Sequence, residues 1–103
     1  MMGATSTWVA ISLVLFSIGL FGLLLRRNLV VMLIAIELML NAAMINVVAF
    51  GRITSGQEAT SWVMALFVMG VAAAEAAVGL SLILAVFSHT DDVDAERVAE
   101  LGG

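Results

Sequence analysis

Three long apolar runs, at 8–25, 29–50 and 62–87, are separated by short polar breaks. None shows the strict alternation of a half-buried strand or the one-sided stripe of a helix on a soluble core. The second is interrupted by Glu37, Asn41 and Asn46, and the third by Glu75. At 1.5 Å per residue the first run is ~27 Å long as a helix, close to a hydrocarbon core of ~30 Å. The other two are longer. Backbone groups in lipid must be satisfied within their own segment, so helices are the spanning elements this pattern predicts. The breaks are Arg26-Arg27-Asn28 and a loop at 51–61 holding the turn formers Gly51, Ser55, Gly56 and Gln57. The expectation is an all-α membrane protein: one domain over 1–103, three transmembrane helices near 8–25, 29–50 and 62–87, and an acidic tail at 88–103. No basic residue precedes the first run, so it reads as a helix rather than a cleaved signal.

Composition sharpens this. The chain has 103 residues, 63% hydrophobic and 12% charged, against about 45–50% and about 25% in a soluble domain. Soluble enzymes and nucleic-acid binders are excluded. With no Cys and one His, thiolate metal sites, iron–sulfur ligation and bis-imidazole haem are excluded too. The net charge of −4 lies wholly in the tail, where Asp91, Asp92, Asp94, Glu96 and Glu100 face only Arg97. Such a run reads as a solvated end.

Orientation follows from the arginines. Arg26 and Arg27 in a very short loop predict that this loop is cytoplasmic, with the N-terminus outside and the C-terminus cytoplasmic. Trp8 and Trp62 then share the outer interface, where indole rings favour the boundary. Arg52, in the second loop, points the other way.

Glu37 and Glu75 interrupt the second and third runs near their middles. An ionised carboxylate at that depth is costly, and no Lys or Arg lies within any run to pair it. Each carboxyl must be protonated, hydrogen-bonded or facing a wet protein interior. A structural hydrogen bond between helices accounts for one such Glu. Two at similar depth without a cation point to proton transfer, which needs a group able to hold and release a proton. Asn41, four residues after Glu37, shares its face, about 40° around the helix. Asn46 faces about 180° away and reads as a helix–helix hydrogen bonder. Small residues surround Glu75 on every side, with Gly19 and Gly22 a lesser version on the first helix; they allow close helix approach. Three helices cannot surround two carboxylates, so the chain is expected to be part of a larger membrane assembly.

The stretches at 19–28 (GLFGLLLRRN), 34–41 (IAIELMLN) and 72–80 (AAAEAAVGL), with the tail at 93–102, resemble the subunit K family of proton-pumping NADH:quinone oxidoreductases, the respiratory complex I of bacteria. The resemblance covers nearly the whole chain. It implies a three-helix, multi-pass subunit of the bacterial plasma membrane, set in lipid between the quinone-site side and the first antiporter-like subunit. It implies that Glu37 and Glu75 are the proton-relay acids, supported by Asn41 and by the loop arginines Arg26 and Arg27. It also implies that this chain binds no cofactor, with flavin, iron–sulfur clusters and quinone held by other subunits. Two features depart from the family: Ala35 stands where Gly is common, and Ser88-His89-Thr90-Asp91-Asp92 replaces a frequent basic cluster. Two other classes stay open. A small subunit of a multisubunit cation/proton antiporter also has three helices, but Glu37 counts against it. An ATP synthase proteolipid needs one hairpin and one carboxylate, and this chain has more of both.

Overall fold

The computed structural model describes residues 2–102. They form four helices: α1 Met2–Leu25, α2 Leu29–Ile53, α3 Glu58–Thr90 and α4 Ala95–Gly102. The first three are long and apolar enough to cross a membrane. α2 is central and packs against both α1 and α3 in a slab 53 × 24 × 16 Å.

The helices outrun their apolar runs. α3 begins at Glu58 and continues through Ser88, His89 and Thr90, making it ~50 Å long, well beyond a ~30 Å hydrocarbon core. Hydropathy marks only the part suited to lipid, while the i→i−4 ladder continues into polar residues. For the same reason Arg52, read as a loop residue, lies in the last turn of α2. The loop left at 54–57 turns with Gly56 at φ +76°, a conformation that favours glycine.

Small residues at every seventh position set the packing. Ser12 and Gly19 on α1, Ala35, Ala42 and Ala49 on α2, and Ala65 and Ala72 on α3 are buried at this spacing, Ala42 at 1% exposure, while Gly51 and Ser61 are buried outside it. Gly79 continues the α3 series, and a Cβ there would touch Leu33 at 3.4 Å. A seven-residue repeat keeps one face toward an inclined neighbour, and small side chains let the backbones close in. A Cβ at Gly19 would lie 2.8 Å from the Ala35 carbonyl oxygen and 2.8 Å from Met39 Cγ. One at Gly51 would run into Ser61. Ala35 therefore occupies the seam against Gly19 and Gly22, where the space for its methyl is supplied by glycines opposite. Ser12 donates to Asn46 Oδ1 at 2.6 Å, the helix–helix bond expected of Asn46.

The tail differs from the expected solvated end. Asn28 caps α2, accepting from Val30 N at 2.9 Å and Val31 N at 3.3 Å. Leu29 N donates to the Val93 carbonyl and Ala95 N to the Arg27 carbonyl, each at 2.7 Å, so the tail lies against the α1–α2 loop. Asp94 caps α4, accepting from Glu96 N at 3.0 Å and Arg97 N at 3.2 Å, and its other oxygen lies 3.7 Å from Arg27 Nε. Arg27 also pairs with Glu96. The charge run concealed this because the same acids serve as helix cap and as partners of the loop arginine. Before the cap, Asp91 closes α3 in the left-handed conformation at φ 55°.

Candidate functional site

Two close contacts fix the register of α2 against α3. Gly51 meets Ser61, and Leu33 meets Gly79; the contacts lie the same eighteen positions apart on both helices. The helices are antiparallel, so each step along α2 from Leu33 is matched by a step back along α3 from Gly79. Glu37 is four steps from the first and Glu75 four steps from the second. The backbones of Glu37 and Glu75 therefore both stand one turn, ~6 Å, beyond the Leu33–Gly79 contact, toward the end carrying Trp8 and Trp62.

They share a level but not a pocket. Glu37 is half-buried in a groove of about 330 Å³ between α2 and α3, walled by Leu33, Leu38, Ala76 and Leu80. Asn41 lines the same groove, as its spacing predicted. Glu75 lies in a separate, shallow depression on α3 with Ala74, Val78, Gly79 and Leu82, and is exposed. Ala76 and Ala77 belong to the Glu37 groove, and Ala77 is about 160° around α3 from Glu75. The two carboxyls thus flank α3 on different faces. Within this single chain Glu37 is covered only in part and Glu75 not at all, so any dry enclosure of either must come from outside the chain. The salt bridges among described residues all lie in the α1–α2 loop and the tail, leaving both acids without a cation.

At the other end of the slab, Arg27 is engaged by Asp94 and Glu96, whereas Arg26 is exposed and unpaired among the described residues. No group of three or more potential metal ligands converges among the described residues. From sequence Ala76 and Ala77 read only as small packing residues around Glu75, not as walls of the Glu37 groove; the seven-residue spacing of Ala65, Ala72 and Gly79 is the signal that orients α3.

These features define a class: a small all-helical chain, three of its helices of membrane-spanning length, with one carboxyl at the same level on each of two. Residues 7–103 match the model of the NADH-ubiquinone/plastoquinone oxidoreductase chain 4L family, and the chain belongs to that family. It is similar to NADH-quinone oxidoreductase subunit K 1 of Syntrophobacter fumaroxidans, 50% identical over 102 residues, which cover 99% of this chain and 100% of that protein. It is also similar to NADH-quinone oxidoreductase subunit K of Bacillus cereus and of Bacillus mycoides, each 44% identical over 98 residues, 95% of this chain and 94% of the relative. The resemblance carried by the two Glu-centred motifs is thereby confirmed, and the antiporter and proteolipid readings fall away.

Proposed function

We propose that this chain is a non-redox membrane subunit of a proton-translocating NADH:quinone oxidoreductase, the complex its relatives are named for, and that Glu37 and Glu75 relay protons within it. The observation that carries this reading is the matched level of the two acids, set by the Leu33–Gly79 and Gly51–Ser61 contacts, with no cation beside either. Neither acid has a partner of opposite charge among the described residues. Release of the proton then requires a nearby acceptor, water or positive group brought in by the surrounding assembly, which is how a distant redox step would drive the transfer. Asn41 shares the Glu37 groove and orders a water or hydrogen-bonds the carboxyl.

In this proposal the chain sits in a bacterial plasma membrane with its N-terminus outside and C-terminus in the cytoplasm, between the quinone-site side and an antiporter-like subunit. Flavin, iron–sulfur clusters and quinone reside on other subunits. Glu37→Gln preserves shape and hydrogen bonding but cannot ionise. In an assembled complex it lowers coupled NADH oxidation by about tenfold or more. Wild-type coupled activity in an assembled Glu37→Gln complex contradicts the relay role.

A further inference from the structure

A second groove, of about 380 Å³, lies between the three long helices and is lined by Trp8, Val48, Ala49, Trp62, Ala65 and Met69 among others. Its wall is almost wholly carbon. The polar groups that break it are Asn41 and Arg52, which mark its limits along α2. Eleven residues separate them, ~16 Å, the depth of half a ~30 Å hydrocarbon core. The groove is long and lined by carbon, and a single hydrocarbon chain lying along α2 fits its shape and chemistry. An apolar groove of this kind gains nothing from holding water.

At Arg52 the chemistry changes. The same residue lines an adjoining cleft of about 500 Å³ with Thr54, Ser55, Gly56 and Glu58, whose surface is half polar. Glu58 shares this cleft, yet Arg52 makes no ion pair among the described residues. A cation and an anion thus line one cleft, with no ion pair between them, at the mouth of an apolar slot. Trp8 and Trp62 flank that slot, as amphipathic rings do at a bilayer boundary.

We propose that this groove and cleft seat one phospholipid with a primary-amine headgroup, of the phosphatidylethanolamine type, drawn from the surrounding bilayer. Its phosphate accepts from the Arg52 guanidinium, its ammonium donates to Glu58, and one acyl chain lies along α2 over Ala49 and Ala65. The two buried alanines give the slot its depth. The Arg52–Glu58 pair selects the headgroup: phosphatidylglycerol has no ammonium for Glu58, and the quaternary amine of phosphatidylcholine has no N–H to donate.

The test is native mass spectrometry of the full-length chain released from detergent with each of these three lipids in turn. The expected result is a one-to-one adduct with phosphatidylethanolamine favoured over the other two. Arg52→Gln weakens all three adducts about tenfold, and Glu58→Gln removes the preference for the amine headgroup. Val48→Phe, which narrows the slot, weakens every adduct without changing the preference. Equal adducts with the three lipids in the wild-type chain overturn the proposal, as does an Arg52→Gln chain that binds phosphatidylethanolamine undiminished. In the assembled complex, a diazirine amino acid at position 48 labels lipid on irradiation; labelling of a neighbouring subunit instead overturns it.

Discussion

Glu37 and Glu75 stand at one level but meet different surroundings, and the difference ranks them. Glu37 is half-buried beside Asn41 in a groove already walled by two helices of its own chain. Glu75 is exposed among Ala74, Val78 and Gly79, on a surface where an ordered water has room to take over part of its task. Glu75→Gln in an assembled complex is therefore expected to cost NADH-driven proton uptake only about two- to threefold, less than the loss from Glu37→Gln. Uptake assays on vesicles carrying each variant check this, and equal damage from the two refutes the ranking. The matching depth was legible in the sequence, because depth follows from counting residues along a helix. The separation onto two faces of α3 was not. A helix apolar all round carries no stripe to show which side meets its neighbour.

At the scale of the helix, what orients the faces is the seven-residue repeat of small side chains. Ala35, Ala42 and Ala49 fix one side of α2, and Gly19 presses against Ala35 and Met39. Leu33, Glu37 and Asn41 all line the groove toward α3, whereas Met39 packs toward α1. A carboxyl moved one turn along the groove stays on its face, ~6 Å away, a gap that one water bridges. In a Glu37→Ala background, Leu33→Glu or Asn41→Glu should restore part of the proton uptake, and Met39→Glu none. Equal rescue from all three sites would show that the face is irrelevant. The existence of three spanning helices was plain from hydropathy, but their ends were not. Glu58, Arg52 and Thr90 lie in helices because polar residues extend the backbone ladder beyond the lipid-suited stretch.

For the molecule as a whole, the slab leaves large apolar side chains outward, Phe67 at 71% exposure, and a carboxyl on an open face. Such a surface is stable only in lipid or against other membrane chains, in keeping with a subunit of a larger complex. Its polar end is fastened by Arg27, whose pairs with Asp94 and Glu96 reinforce the backbone bonds at Leu29 and Ala95. Exposed ion pairs contribute about 0–1 kcal/mol each. Arg27→Gln should therefore speed hydrogen exchange at the Ala95 amide by about threefold rather than unfold the tail. Unchanged exchange would mean that the backbone bonds alone hold it. The central claim is that the two acids at matched depth carry protons through this slab. It is tested most directly by the ratio of protons taken up to NADH oxidised in inside-out vesicles bearing Glu37→Gln together with Glu75→Gln, with assembly confirmed on a native gel. The ratio should collapse while the complex remains assembled; a wild-type ratio from the assembled double variant would show that these acids do not relay protons.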